Sequence, residues 1–247
     1  MNIMRYILIA LLALASLTSC KNKTEENKET MEEKPAMADM DNGWETLFDG
    51  SNFDNFRGYL RDTMPAEWHI EGDAMVFEPG ETKANIITRK KYTDFVLSLD
   101  WKISEGGNSG VLFGVSEVDS LPEPYQTGPE IQVLDNERHP DAKANPKYHQ
   151  AGALYDMVQP TQDVWKPAGE WNHFDIMVNH KTNQGSVTLN GTKIVEFPVE
   201  GPSWDSLVAN SKFKDWKDFG KYETGYIGLQ DHDNKVSYKN IKIKSLD

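Results

Sequence analysis

The sequence predicts an all-β domain built as a sandwich or jelly roll of antiparallel strands. Three observations predict it. Apolar and polar residues alternate over several short segments, Gly- and Asn-containing turns separate these segments, and no segment keeps a helical period. Many short strands at this spacing are typical of β-sandwiches and jelly rolls.

The clearest strand covers residues 95–103. Its odd-numbered residues from Phe95 to Ile103 are all apolar, whereas most of its even-numbered residues are polar. Side chains alternate between the two faces of a strand, so one face is predicted to be buried. Residues 106–110 form a Gly-rich turn before a second apolar segment, 111–115, and the pattern predicts a hairpin of these two strands.

The second half of the chain repeats this pattern. Alternation at 174–178 is followed by a turn at 183–185 and a strand at 186–189, and Asn190-Gly191 is a strong type I′ hairpin signal before 193–197. Two more strands are predicted at 226–232 and 239–244. The segment 201–222 is irregular, and a short helix is expected at 205–210.

The N-terminal residues predict a lipoprotein. Residues 1–19 carry Arg5 and an apolar stretch too short to span a bilayer, as in a signal peptide, and Leu17-Thr18-Ser19-Cys20 is typical of a lipidation site at Cys20. Residues 20–42 would be a flexible tether and residues 43–247 the folded domain. Lys21 favours anchoring in the outer membrane of the cell envelope, on its periplasmic or its surface side.

Charge and composition limit the classes of molecule that this protein is expected to bind. The formal net charge of −13 argues against nucleic acid and against anionic lipid surfaces, so the membrane contact is expected to be the lipid anchor alone. Cys20 is the only cysteine, which rules out an internal disulfide bond. Seven tryptophans suit a neutral carbohydrate ligand, although any single tryptophan is more often a core residue.

Polar residues on two predicted strands indicate a polyol-binding groove. Glu130 and Gln132 share one face of a strand, about 7 Å apart, while Ile131 and Val133 face the other way. Gln230 and His232 share a face by the same rule. If both strands lie in one curved sheet, the four side chains meet. Simple solvent exposure is the alternative.

Other residues are weaker candidates. His149 and Tyr155 lie in a Gly-containing segment that could bring both to a ligand, where a histidine could transfer protons. Asp100 shares a face with Lys102, as a groove contact or as a solvated ion pair. His173 and Asp175 are equally consistent with a functional pair and with the surface. Arg57 could hold a hydroxyl or an oxyanion, or be an exposed arginine.

The sequence lacks the usual signatures of hydrolases. Glycoside hydrolysis normally uses two carboxyl groups, and the neighbour of Glu130 on its face is Gln132, which cannot ionise. No His-Glu-x-x-His or EF-hand motif is present. A metal held by distant residues, such as Glu130, Asp135, His149 and His232, stays open.

The chain resembles a bacterial domain family formerly of unknown function and now called 3-keto-disaccharide (3-keto-glycoside) hydrolase. The resemblance covers residues 43–246. It is carried, in chain order, by Gly43-Trp44-x-x-Leu47-Phe48-Asp49-Gly50, Gly107-Asn108-Ser109-Gly110-Val111, Glu130-Ile131-Gln132-Val133-Leu134-Asp135, Gly152-Ala153-Leu154-Tyr155, Gly169-Glu170-Trp171-Asn172, Leu189-Asn190-Gly191, Gly228-Leu229-Gln230-Asp231-His232 and Lys239-Asn240-Ile241.

The resemblance implies a concanavalin A-like jelly roll that cleaves glycosides already oxidised at C3. A C3 carbonyl acidifies the C2 proton, so one base suffices and the C1 substituent leaves by elimination. The expected base is His149 or His232, with Tyr155 as proton donor or enolate stabiliser and Glu130 orienting the sugar or binding a metal. The expected cofactor is a divalent metal at most, with no nucleotide. Expected substrate contacts are Arg57, Asp100, Gln132, Asp135 and Gln230.

Two other functions stay open. A non-catalytic carbohydrate-binding module has a comparable fold, and fold does not fix function. A conventional glycosidase would need a second carboxylate across the groove, for which Asp135 and Asp156 are the candidates.

Overall fold

The computed structural model describes residues 43–145 and 147–246, which form an all-β sandwich. The predicted signal peptide, Cys20 and the tether lie outside the described residues. Two α-helices, α1 (Asp141–Ala144) and α2 (Gly201–Ala209), and one turn of 3-10 helix (Pro124–Gln126) interrupt the strands. The strands are, in chain order, β1 (Trp44–Phe48), β2 (Phe56–Gly58), β3 (Trp68–Glu71), β4 (Ala74–Phe77), β5 (Ile86–Thr88), β6 (Phe95–Ile103), β7 (Asn108–Val115), β8 (Glu130–Leu134), β9 (Asn172–Asn179), β10 (Gln184–Leu189), β11 (Thr192–Phe197), β12 (Tyr226–Leu229) and β13 (Val236–Ser245).

The strands form two antiparallel sheets. The eight-stranded sheet has the order β11-β10-β9-β6-β13-β4-β3, and β1 also pairs with β13. The five-stranded sheet has the order β2-β5-β12-β7-β8. This arrangement confirms the predicted all-β jelly-roll class. No helix of the described part of the chain is long and apolar enough to cross a membrane.

The core lies between the two sheets and follows the predicted alternation. Leu97, Leu99 and Trp101 of β6 are fully buried, and so are Ile131 and Val133 of β8 in the opposite sheet. Burying apolar side chains contributes about 25 cal/mol per Å² of surface removed from water, which makes these two faces the main source of stability. The opposite faces of the same strands are therefore left for polar residues.

The predicted hairpin of 95–103 with 111–115 is wrong. β6 pairs with β9 and β13 in the eight-stranded sheet, whereas β7 pairs with β8 and β12 in the other. The turn between them carries the chain across the sandwich. Gly106, at φ 66°, supplies the left-handed conformation there, and its N–H donates to Asp135 Oδ2 at 2.7 Å. The turn at 106–110 was predicted correctly, but a local turn signal does not specify which sheet each flanking strand joins.

The β9–β10–β11 meander is confirmed. Asn190 and Gly191 have φ values of 51° and 83°, the two positive angles that a type I′ turn requires. Two boundaries differ from expectation. The strand predicted at 226–232 ends at Leu229, so Gln230 and His232 lie in the loop that follows it. The short helix begins at Gly201 rather than at residue 205.

Candidate active site

A cavity of about 430 Å³ lies on the outer face of the five-stranded sheet, and we call it the active-site pocket. Its floor comes from β7, β8 and the loop after β12. Because strand residues alternate, Asn108, Glu130 and Gln132 face this pocket while their neighbours pack into the core. Its volume is in the range, roughly 300–1,000 Å³, of sites that enclose a small organic ligand.

Glu130 lies at the bottom of the pocket with 8% of its surface exposed. Its carboxyl group lies over Gly110 of β7, where a Cβ atom would overlap it, so the glycine makes room for this side chain. With its amide nitrogen turned toward Glu130, Gln132 donates to Oε1 at 2.8 Å and to the Ser109 carbonyl at 3.2 Å. Gln230 Nε2 lies 3.5 Å from Oε2.

The environment of Glu130 makes its carboxylate an unusually strong base. Burial, with a smaller contribution from the charge of Asp141, raises the pKa of Glu130 from its usual 4.5 to about 8. The ammonium group of Lys212 and the amide of Gln230 act in the opposite direction. A carboxyl group with a pKa near neutrality can both take up and return a proton under ordinary conditions.

Gln230 carries an unused acceptor. The residue is 5% exposed, and its Oε1 atom has no hydrogen-bond partner among the described residues. A buried polar atom without a partner costs free energy, which a ligand hydroxyl would recover. This atom is therefore suited to accept a hydrogen bond from a bound sugar.

Behind the pocket wall, four side chains form a hydrogen-bonded chain. The Tyr155 hydroxyl donates to Asp141 Oδ2 at 2.8 Å, and Asp141 Oδ1 lies 2.8 Å from His149 Nδ1. His149 Nε2 lies 2.8 Å from Asp156 Oδ1. The rings of His149 and Tyr155 stack with centroids 4.2 Å apart. Burial, and then the hydrogen bond to Asp141, raise the pKa of Tyr155 above its usual value.

Lys212 is one of two lysines that line the pocket. Its Nζ lies 4.1 Å from the centre of the Tyr155 ring, a cation–π contact. Its backbone N–H donates to Asp156 Oδ2 at 2.7 Å, so one carboxylate holds both Lys212 and His149. This places a positive charge beside the pocket face of Tyr155 and near Glu130.

The rest of the pocket has an aromatic wall and a charged edge. Phe213 and Trp216 contact each other edge to face at 5.1 Å, and the Trp216 ring lies 6.1 Å from Tyr125. The charged edge comprises Lys83, Glu123, Asp231, His232 and Asp233.

The structure brings together five of the side chains predicted from sequence. They line the active-site pocket and are Glu130, Gln132, Tyr155, Gln230 and His232. The expected convergence arises because β8 and β12 belong to the same sheet, with β7 between them. His232 is exposed at the rim, where its ring lies 6.1 Å from that of His139.

His149 lies elsewhere than a base requires. It is 8% exposed, it lies behind Tyr155, and both of its ring nitrogens are within hydrogen-bond distance of carboxylates. A general base needs a free acceptor within reach of the substrate proton. The geometry instead gives His149 a part in orienting Tyr155.

Three predicted substrate contacts do not line the pocket. Arg57 forms a two-pronged ion pair with Glu117 at 2.7 Å. Asp135 is 2% exposed and accepts the N–H groups of Gly106 and Glu137, which makes it a turn residue. Asp100 lies in the eight-stranded sheet and pairs with His173 Nδ1 at 2.7 Å.

His173 belongs to this second region and not to the pocket. Its hydrogen bonds to Asp175 and Asp100 raise its pKa to about 9. The pair with Asp175, for which function and surface were equally plausible, lines a cavity of about 650 Å³ beside β1 and β13. Its polar groups bond to one another: the Asn240 amide donates to Asp100 Oδ2 at 2.7 Å.

Sequence reasoning missed several residues of the site. Lys212, Phe213 and Trp216 come from the irregular segment after α2, and Asp141 begins α1. The available signal was the mixture of aromatic and charged residues at 212–219 without any period, which is unusual for a packed element. Nothing local indicates that Asp141 reaches Tyr155, because that contact depends on tertiary packing.

The donor arrangement does not fit a divalent metal ion. In residues 43–145 and 147–246, no group of three or more His, Cys, Asp or Glu side chains could hold one. The four donors proposed from sequence are dispersed, since Asp135 is part of a turn and His149 is engaged behind Tyr155.

Known proteins are similar to this chain in both sequence and fold. The model of the 3-keto-alpha-glucoside-1,2-lyase-like domain matches residues 43–244. A protein named 3-keto-disaccharide hydrolase from Bacteroides thetaiotaomicron is 36% identical over 233 residues, which cover 83% of this chain and 79% of that protein.

Solved structures agree with the family match. A presumed glycosyl hydrolase from Parabacteroides distasonis is 30% identical, with a TM-score of 0.77 over 83% of this chain and 94% of that chain. A second from the same organism is 28% identical, with a TM-score of 0.63 over 83% of this chain and all of the other. The chain therefore belongs to the 3-keto-alpha-glucoside-1,2-lyase-like domain family of sugar-cleaving enzymes.

Proposed function

We propose that this protein cleaves 3-keto-glycosides by removing the C2 proton next to the C3 carbonyl, with Glu130 as the base. The observation that carries the proposal is the Glu130 carboxyl group, buried at the bottom of a sugar-sized pocket with its pKa raised to about 8. The name of the Bacteroides relative supports the choice of a keto sugar as substrate.

The reaction proceeds in two stages. The Glu130 carboxylate takes the C2 proton, and the electron pair of that bond moves toward the C3 carbonyl to give an enolate. When the enolate collapses, a C1–C2 double bond forms, the C1–O bond breaks, and the leaving oxygen takes a proton. Water then adds to C1 of the resulting enone and a proton returns to C2. The sum is hydrolysis, and stopping before the addition of water is the lyase reaction.

The developing enolate needs positive charge near the C3 oxygen. Lys212 supplies an ammonium group in the pocket, held by its backbone bond to Asp156 and by the ring of Tyr155. Lys212 is solvent-exposed, so its contribution comes from being held in place beside the developing anion. Tyr155 has its hydroxyl engaged with Asp141, so its main contribution is to position Lys212 and the sugar.

Keto chemistry also removes the need for a second catalytic carboxylate. The two carboxylates considered as partners for a conventional glycosidase, Asp135 and Asp156, are both occupied by backbone N–H groups and do not line the pocket. The two-carboxylate mechanism requires an acid and a base on opposite sides of the scissile bond. A base that needs only an acidified C–H bond works without the second group.

The test is a kinetic isotope effect. A 3-keto-glucoside carrying deuterium at C2 should react more slowly than the unlabelled compound, because the C2–H bond breaks in the first step. Deuterium should also appear at C2 of the product when the reaction is run in heavy water. Equal rates for both isotopologues, combined with no solvent deuterium at C2, would contradict the proposal. A binding module would give no product at all.

A further inference from the structure

We propose that the part of the active-site pocket around Trp216, Tyr125 and Glu123 is a subsite for the leaving group, and that this subsite selects a sugar over an aryl group. The inference rests on the proposed function, since it assumes that the C1 substituent is released in this pocket. It concerns residues that the cleavage chemistry itself does not use.

The aromatic wall extends away from the reacting carboxyl group. The Tyr155 ring, beside Glu130, is 6.5 Å from Phe213, which contacts Trp216 at 5.1 Å. Trp216 in turn lies 6.1 Å from Tyr125. Trp216 is held from two sides, because Phe219 also contacts it edge to face at 6.2 Å. A rigid half-buried indole of this kind offers a flat apolar surface at a low entropic cost.

The facing edge of the pocket extends in the same direction. Gln230 contacts Glu130, and the next backbone N–H, that of Asp231, donates to Asn85 Oδ1 at 2.9 Å. The Asn85 amide then donates to Glu123 Oε2 at 2.8 Å. This series of hydrogen bonds separates Glu123 from Glu130 by two intervening side chains. In the proposed subsite, Glu123 would therefore face the group attached to C1 and not the ring that loses its C2 proton.

Glu123 presents a carboxyl group to the ligand. Burial raises the pKa of Glu123 above its usual range even in the open pocket. Its side chain accepts from the Asn85 amide at Oε2 and from the backbone N–H of Gln126, and a carboxylate has further acceptor sites for a ligand. An aryl group over this carboxyl would remove water and offer no donor, which is costly. A sugar offers hydroxyl donors and an apolar C–H face for Trp216.

The neighbouring charges complete a polyol site. Lys83 Nζ pairs with Asp233 Oδ2 at 3.0 Å, and both side chains are largely exposed at the rim. Together they present donors and acceptors side by side, which is the pattern that vicinal hydroxyls satisfy. The subsite thus combines one aromatic surface with alternating donors and acceptors on the opposite edge.

The experiment compares two substrates with the same α-linked 3-keto-glucosyl group. One is 3-keto-maltose and the other is 4-nitrophenyl 3-keto-α-glucoside. Glu123→Gln and Trp216→Ala should each lower kcat/KM for the disaccharide at least about tenfold more than for the aryl substrate, the size expected for loss of a specific contact. Trp44→Ala, in β1 of the other sheet, and Glu196→Gln, exposed in β11, are the matched controls and should not change the ratio.

A binding measurement keeps the two proposals separate. Free glucose should quench the tryptophan fluorescence of the wild type and not that of Trp216→Ala, whether or not the enzyme turns over keto sugars. Turnover of both substrates with an unchanged ratio in Glu123→Gln and Trp216→Ala would overturn the subsite and leave the proposed function intact. If neither substrate reacts but glucose binding is lost in Trp216→Ala, the subsite stands and the proposed function fails.

Discussion

At the scale of single residues, the central feature is a carboxyl group that the fold keeps partly out of water. Glu130 lies on the outer face of β8, yet Gly110 below it and the two glutamines beside it allow the carboxyl group to lie flat against the sheet. Burial disfavours its charged form and raises its pKa to about 8. The same burial that costs stability therefore gives this carboxyl group the basicity that the proposed reaction needs.

The pH dependence of catalysis is the first prediction. The base must be ionised, so kcat/KM of the wild type should rise with pH and level off above about pH 8. Glu130→Gln keeps the shape of the side chain and cannot take a proton, so kcat should fall by about 10²–10⁴-fold. His232→Ala, at the exposed rim, should lose far less. A wild-type profile that is flat between pH 6 and 9 would contradict the assignment.

Glu130→Gln should also be more stable than the wild type at alkaline pH. The folded-state pKa of Glu130 is raised from 4.5 to about 8, so the folded protein keeps a proton that the unfolded chain loses over this range. Stability from this group is therefore present below about pH 4.5 and is lost as pH rises through 8. Glu130→Gln removes the loss, and its Tm at pH 9 should exceed that of the wild type by about 2–4 °C per kcal/mol gained. Glu137→Gln, which is exposed, should change neither Tm nor rate.

At the scale of secondary-structure elements, one residue connects the loop after α2 to the loop after β8. Asp156 has a φ of 61° and accepts His149 Nε2 through Oδ1 and the Lys212 N–H through Oδ2. This connection links Lys212 to the His149–Tyr155 stack, which Asp141 also holds through Tyr155 and His149. Asp156 is a positioning residue, since it does not line the pocket itself.

Asp156→Asn tests this role. Asparagine tolerates a positive φ, but only one of its two side-chain atoms accepts hydrogen bonds, so the variant keeps one of the two connections. We expect kcat to fall about tenfold to a hundredfold with a smaller change in KM, because misplaced groups act mainly on the reacting step. Asp163→Asn, which is exposed, is the control. A lower Tm with unchanged kcat would reduce Asp156 to a purely structural residue.

Much of this arrangement could be predicted from sequence, and the remainder could not for identifiable reasons. The alternation around Glu130 and Gln132 fixed which side chains face outward, because strand geometry is local. The 106–110 turn did not reveal that β6 and β7 lie in different sheets, because sheet membership depends on distant partners. Lys212 and Asp141 were missed because an irregular segment and a one-turn helix carry no periodic signal.

At the scale of the whole molecule, the inner faces of the two sheets provide stability, and one outer face carries the pocket. The inner faces form one apolar core, while the outer face of the five-stranded sheet carries the pocket. The cation–π contacts of Trp171 and Trp44 with nearby lysines lie on the other sheet. The outer face of the five-stranded sheet thus forms the pocket with a few polar side chains, those of Asn108, Glu130 and Gln132.

The cellular location remains a proposal that one substitution tests. We propose that Cys20 carries a lipid that holds the protein at the outer membrane. Cys20→Ala should move the protein from the membrane fraction to the soluble fraction, because the anchor is the acyl chains and not the folded domain. Lys21→Asp should shift the intact lipoprotein toward the inner membrane. Membrane retention of Cys20→Ala would contradict the proposal.

The dependence of cleavage on the C3 carbonyl and on Glu130 is tested by comparing one glycoside with and without that carbonyl. The wild type and Glu130→Gln are each incubated with 4-nitrophenyl 3-keto-α-glucoside and with its unoxidised parent, and release of nitrophenol is followed. We expect rapid release from the keto compound by the wild type only, and none from the parent by either protein. Equal release from the parent glucoside, or full activity of Glu130→Gln on the keto compound, would contradict this expectation.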